Sequence, residues 1–395
     1  MRNVFFFQLD NRLHYGFGWS RDHLAGFLGE RGWKSVALFV DEGIIAASAY
    51  YREILGLVRS SVPALDVVPL RGSEEPSYDY LDGLAATVRA WPALDAVIAI
   101  GGGSTLDTGK ALACLRTNPG PAIAYRGFDK VTVPPVPTVC IPATAGTGSE
   151  VTPNAVFTDK AEMRKLGING RHLNATYAVL DAEWTMSCPL PIAVSSGMDA
   201  LVHTLESFMT TNANPLTRAL NREAFKLLYE NLPTLVDAPG DADRRQALLL
   251  GAYLAAAGLF NSGSGVAGAL SYPIGVHYKV PHGIGGGIFI ASVVEMNVER
   301  GWYDYAELLD LVEPHPDWSA ERKARRFAAA IRALADRLGV PRTLSRWGIT
   351  RRELDRVAAL MLPLEAAFKQ NPVPFSADRD VREILRRHTA DEAAG

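Results

Sequence analysis

The sequence predicts an α/β fold with a parallel, Rossmann-like sheet in its first half, followed by an all-helical second half. Three observations carry that prediction. Apolar runs alternate with helix-like segments up to Asp181, the pattern of a parallel sheet covered by helices on both faces. The stretch Ala96 to Lys110, AVIAIGGGSTLDTGK, reads as a buried strand that breaks into three glycines and then a helix start. After Asp181 the chain changes to long segments rich in Ala, Leu, Glu and Arg.

Taken in order, Ser20 to Gly29 reads as a helix, and Trp33 to Val40 as a strand that ends at Asp41. Val62 to Leu70 is a second strand, Tyr78 to Trp91 a helix, and Ala96 to Ile100 the glycine strand. Val136 to Ile141 and Tyr177 to Leu180 complete the set. In the second half, Leu216 to Leu232, Arg244 to Leu259, Ser319 to Leu338 and Arg351 to Leu362 read as helices. Cys188-Pro189-Leu190-Pro191 interrupts the helical pattern, which places a domain boundary within Glu183 to Pro191. The division is therefore residues 1–185 and residues 186–395. The tail from Thr389 to Gly395 is expected to fray.

Composition sets the class. With 48% hydrophobic and 21% charged residues, the 395-residue chain suits a globular protein with a sizeable core. A net charge of -3 gives no electrostatic case for nucleic acid. The three cysteines, Cys114, Cys140 and Cys188, are scattered and odd in number, so neither a disulfide framework nor a CxxC site is expected. There is no 18-residue apolar stretch, and the apolar run near the start is too short for a signal peptide. A cytoplasmic protein that binds neither membrane nor nucleic acid is the expectation.

Two constellations carry chemistry. Gly101, Gly102 and Gly103 let the backbone turn tightly and come close to a phosphate, and Ser104, Thr105 and Asp107 open a helix whose N–H groups and dipole favour an anion. A phosphate-bearing ligand, most simply a nucleotide, is one reading, and a plain tight turn is the other. Past the boundary, Asp199 and His203 are four residues apart and share a helix face, as half a site for Fe²⁺ or Zn²⁺ or as an ordinary surface pair. Pro281-His282-Gly283 offers a third ligand, or a turn histidine.

The joint order of these pieces changes that reading. GGGSTLDTGK, IPATAGTGSEVTPNAVFTD, GMDALVHTLESF and PHG together closely resemble the iron-containing (group III) alcohol dehydrogenase family. Gly16-Phe17-Gly18 and Lys369 to Leu385 extend the resemblance over essentially the whole chain. It implies a dehydroquinate synthase-like architecture, with a nucleotide-binding α/β domain, a helical metal and substrate domain, and an active site in the cleft. It also implies reversible hydride transfer between NAD(P) and a small aldehyde or its primary alcohol. By motif, Gly101, Gly102, Gly103 and Ser104 would hold the pyrophosphate, with Asp107 in the same cofactor-binding set. Thr144, Thr147 and Ser149 would line the nicotinamide side, and Lys165 would reach the ribose. Asp41 stands where related enzymes bind the adenosine ribose, and a carboxylate there favours NADH over NADPH.

The implied metal ligands are Asp199, His203 and His282, but the match stops there. Gly268 stands where the family pattern carries a further ligand histidine, and Tyr272 where a second histidine lies near the substrate. Either a three-ligand shell holds the cation, or Tyr272 or His277 completes it, or no metal binds. Gly268 is expected to enlarge the pocket, and Tyr272 is a candidate proton donor beside the catalytic His282. Lys279, Arg171 and His172 would favour an anionic substrate if they face the site. The family's phosphonoacetaldehyde reductases, which make 2-hydroxyethylphosphonate, are then a candidate identity. A metal-independent maleylacetate-reductase-like enzyme and a non-catalytic NAD-binding protein are the alternatives, and a homodimer is the expected assembly.

Overall fold

The computed structural model describes residues 4–71 and 76–391. It divides into two compact units. One takes in Leu9–Pro189 with Gly240–Leu249; the other takes in Leu190–Pro239, the chain from Leu250 onward, and the residues before Leu9.

Among the described residues the first unit holds nine strands: β1 (Arg12–Tyr15), β2 (Ser35–Asp41), β3 (Ala64–Leu70), β4 (Ala96–Gly101), β5 (Gly127–Phe128), β6 (Thr138–Pro142), β7 (Asn154–Asp159), β8 (Arg164–Asn169) and β9 (Tyr177–Leu180). Six form a parallel sheet in the order β1-β9-β6-β4-β2-β3. Its helices are α1 (Trp19–Arg31), α2 (Glu42–Ala47), α3 (Ala49–Ser61), α4 (Tyr78–Ala90) and α5 (Gly103–Thr117). The strand period of two sorts the side chains. Val36, Leu38, Val40, Ile98 and Ile100 pack with Leu24, Leu28, Ile54 and Val58 of α1 and α3. Ala37, Phe39 and Val97 face the other way, onto Leu81, Ala85 and Val88 of α4 and Ala111 to Leu115 of α5. Burial on both faces is why β2 and β4 read as unbroken apolar runs. Ser48 and Ser77 cap α3 and α4 through their hydroxyls.

Several features of the first unit differ from the sequence expectation, among them helix α3, where no helix was expected. β1 was not foreseen, since its burial pattern is mostly exposed and it carries no apolar run. A second sheet of three strands, β5-β8-β7, lies within the first unit, with β7 and β8 antiparallel.

The second unit contains α6 (Leu190–Met209), α7 (Pro215–Asn231), α8 (Thr234–Asp237), α9 (Ala242–Ser262, of which the part from Leu250 belongs here), α10 (Val266–Tyr278) and α11 (His282–Glu299). α12 (Tyr305–Val312), α13 (Ala320–Arg337), α14 (Leu354–Met361), α15 (Glu365–Phe368) and α16 (Arg379–Arg387) follow. α11 is central and packs on α6, α10 and α13. Arg351–Glu353 is a separate 3₁₀ turn, so the helix expected from Arg351 starts at Leu354. The tail is ordered further than expected: Thr389 is buried and donates to the Leu385 carbonyl, and the Ala390 carbonyl accepts from Arg351 N–H. Residues 392–395 of the expected frayed tail lie outside the described residues. Among the described residues, no single helix is long and apolar enough to cross a membrane.

Candidate nucleotide turn and metal centre

Strand order in the six-stranded sheet reverses between β2 and β4: the chain leaves β2 for β3 on one side and returns to β4 on the other. Ligands of open α/β sheets bind outside the carboxyl ends of the strands at such a point. There the structure places Asp41, at the end of β2, and Gly101 to Gly103, at the end of β4, with Val40 and Ile100 in register. Gly102 is the N-cap of α5, and no side chain caps it. Gly101 and Gly103 are required by close approach. A Cβ on Gly101 would lie 2.6 Å from Thr105 Cβ, and one on Gly103 would lie 2.5 Å from Thr147 Oγ1. A Cβ on Gly102 would lie 3.7 Å from Thr144 Oγ1, so both threonines border the turn. Ser104 lies in the first turn of α5, half-buried.

Other predicted cofactor residues have structural work. Ser149 is buried and donates its hydroxyl to Asp107 Oδ1, and Asp107 Oδ2 accepts the Val156 N–H at 2.8 Å. Lys110 was given no role by the sequence, yet it is almost wholly buried and donates to the carbonyls of Ser149, Thr152 and Asn154. It also lies 3.3 Å from Asp107. The Asp107–Lys110 pair thus ties the loop after β6 to α5. Its signal was a lone lysine leading into the apolar run Ala111 to Leu115. Asp41 caps α2, accepting the Gly43 N–H at 2.7 Å. Lys165 sits half-buried on β8, opposite Thr158.

In the helical unit, Asp199, His203 and His282 come together, each offering a ligand atom within 4.8 Å of the others. Asp199 and His203 are one turn apart on α6, and Asp199 Oδ1 lies 3.5 Å from His203 Nε2. His282 opens α11, with Nε2 3.7 Å from the same carboxylate oxygen. Gly283 permits this approach, because a Cβ there would lie 1.9 Å from the Ser195 carbonyl oxygen on α6. One carboxylate and two imidazoles suit a borderline divalent ion, and three protein ligands leave it positions for water or substrate. The buried His203 Nδ1 has no hydrogen-bond partner, whereas His282 Nδ1 lies 2.6 Å from Ser271 Oγ.

Gly268 does not enlarge the site. A Cβ there would lie 2.8 Å from Glu206 Oε2, so that direction is filled by a carboxylate. Glu206 is fully buried and accepts the N–H groups of Gly265 and Gly268, each at 2.9 Å, closing the start of α10. Burial pushes its pKa up, while the amides and His203 oppose that shift. Its signal in the sequence was only an acid three residues past His203, between Leu205 and Ser207. Tyr272 is 38% exposed, and its ring centroid lies 4.5 Å from that of His282. His277 is exposed and is not among the three clustered donors. Lys279 and Arg171 are exposed as well, and Lys279 ends α10 in the left-handed conformation at φ 60°.

Comparison with known proteins agrees with this geometry. Residues 11–182 match the model of iron-containing alcohol dehydrogenases, and residues 193–389 match that of the C-terminal part of the Fe-containing alcohol dehydrogenase family. The chain is 30% identical to the NAD-dependent methanol dehydrogenase of Bacillus methanolicus over 351 residues, covering 89% of this chain and 91% of that protein. It is 32% identical to the sulfoacetaldehyde reductase of Bilophila wadsworthia over 308 residues, 77% of this chain and 79% of the relative. A crystal structure of 1,3-propanediol oxidoreductase superposes with a TM-score of 0.87 at 25% identity, covering 97% of this chain and 99% of that one.

Proposed function

Because this chain belongs to the Fe-containing alcohol dehydrogenase family, we propose that it is an NAD(P)H-dependent oxidoreductase interconverting a small aldehyde and its primary alcohol. The observation that carries the reading is the convergence of Asp199, His203 and His282, the donors that would hold Fe²⁺ or Zn²⁺. A divalent cation held there supplies Lewis-acid polarisation of the substrate carbonyl. The nicotinamide supplies the hydride.

The chain's own groups do the rest. In this proposal residues 1–185 carry the dinucleotide and residues 186–395 the metal and substrate. N–H groups at the uncapped start of α5, from Gly102 to Ser104, bind the pyrophosphate. Thr144 and Thr147, bordering the turn, line the nicotinamide side, Asp107 and Ser149 brace the loop beside them, and Lys165 reaches the ribose. Asp41 accepts hydrogen bonds from the adenosine ribose and repels a 2′-phosphate, which favours NADH. Tyr272, beside His282 and open to solvent, delivers the proton that the product alcohol needs.

For substrate we propose a two-carbon aldehyde with an anionic head: phosphonoacetaldehyde, reduced to 2-hydroxyethylphosphonate, or its sulfonate counterpart. The support is the relative named sulfoacetaldehyde reductase, whose name gives a two-carbon aldehyde carrying a sulfonate. Exposed Lys279, on the loop that leads to His282, is a cation available to such a head. The test is steady-state NADH oxidation with phosphonoacetaldehyde, sulfoacetaldehyde, lactaldehyde and propionaldehyde, before and after chelation and with metal restored. Turnover should need metal and favour the anionic aldehydes. Full activity after complete metal removal would reject the cation's role, and inertness of the metal-replete protein toward every aldehyde would reject the reading as a whole.

A further inference from the structure

We propose that Ser271 is a positioning residue that sets the tautomer of His282 and so presents Nε2 to the cation; this rests on the cation reading above. Ser271 is fully buried on α10, and its Oγ lies 2.6 Å from His282 Nδ1. The same Oγ lies 2.6 Å from the Gly268 carbonyl oxygen, to which it donates. A hydroxyl has one proton to give, and a carbonyl can only accept. With that proton committed to Gly268, Oγ is left as an acceptor toward the imidazole, so Nδ1 must carry the ring proton. The lone pair then belongs to Nε2, the nitrogen 3.7 Å from Asp199 Oδ1.

The packing holds this relay in place. A Cβ on Gly285 of α11 would lie 3.0 Å from Ser271 Cβ, so the two helices meet at this point with no intervening side chain. The two imidazoles of the triad are thus unequal: His282 has a partner that dictates its tautomer, whereas the buried Nδ1 of His203 has none. Partners of this kind orient a ligating histidine and typically change metal affinity by about 10- to 100-fold when removed.

The test is Zn²⁺ and Co²⁺ affinity by competition with a chromophoric chelator, together with ¹⁵N NMR of histidine-labelled protein stripped of metal. The His282 signals are assigned as those lost in His282→Gln. Ser271→Ala should bind either ion about 10- to 100-fold more weakly, with NADH binding and melting temperature retained. Ser271→Thr, which keeps the hydroxyl, should restore affinity to within about 3-fold of the wild type. The wild-type spectrum should show a proton on Nδ1 of His282, and Ser271→Ala a mixture of tautomers. Unchanged affinity in a folded Ser271→Ala, or a wild-type His282 protonated on Nε2, would overturn the proposal. If Ser271→Ala does not fold, or if the wild type binds no ion, the wild-type tautomer decides the matter alone. Absence of ion binding by the wild type would instead count against the cation reading.

Discussion

The starts of α5 and α10 are built alike and used differently. Both are glycine N-caps with no capping side chain of their own, at Gly102 and Gly265. At α10 the chain closes the start with an internal anion, since Glu206 accepts two of its N–H groups. At α5 the helix's own carboxylate, Asp107, is engaged by Ser149, Val156 and Lys110 and by no N–H group of the helix start among the described contacts. A glycine-rich helix start stays open to an anion only where the fold keeps its own acids away from it.

The largest test of that contrast is Glu206→Ala. It strands two buried amides and should lower stability by about 3 kcal/mol, read from denaturant unfolding. Glu206→Gln keeps one acceptor oxygen and should lose less. Equal losses from the two would mean that the one oxygen left in Gln does not hold the amides, whereas a Glu206→Gln variant as stable as the wild type would mean that Glu206 acts mainly by filling space.

Next is the pH dependence of Glu150, a buried carboxyl just past the Thr147 loop. Burial pushes its pKa up from 4.5 to about 7. A raised acid holds its proton longer in the folded state, so its contribution is fully present below pH 4.5 and is lost as pH rises toward 7. Above that range the loss reaches roughly 3 kcal/mol. Glu150→Gln should flatten this part of the stability profile. A wild-type profile that does not fall between those values would refute the assignment.

Smaller is Gly103→Ala, whose methyl would meet Thr147. NADH should bind about 10-fold more weakly, or ~1.4 kcal/mol, by fluorescence titration. Unchanged affinity would show that the turn does not carry the dinucleotide. The smallest expected effect is Asp41→Asn, which should cut the preference for NADH over NADPH by about 5-fold, near 1 kcal/mol. Steady-state kinetics with both cofactors reads it directly.

Much of this was legible because it is local. Tyr177 to Leu180 and the Ala96 strand are apolar runs buried on both faces, and their chemistry of burial is written in consecutive residues. The Asp199–His203 spacing is likewise a property of one helix turn. The antiparallel pair β7 and β8 carried only a short alternation, Asn154 to Asp159, and was missed. Glu206 and Ser271 were missed for a different reason. Their meaning depends on contacts with Gly265, Gly268 and His282, which no periodicity reports. Ser149 was assigned outward to a ligand, although its hydroxyl turns inward to Asp107.

The contact at Gly283 has a consequence for how this centre tolerates change. There α11 rests on the main chain of α6, through the Ser195 carbonyl, and not on a side chain that could be exchanged. The gap separating an acid on one helix from a histidine on the next is consequently gauged by peptide atoms. Any residue larger than glycine at that point forces the pair apart, and the same seam continues along α11, where Gly286 and Gly287 lie close against Val202 and Met198 of α6.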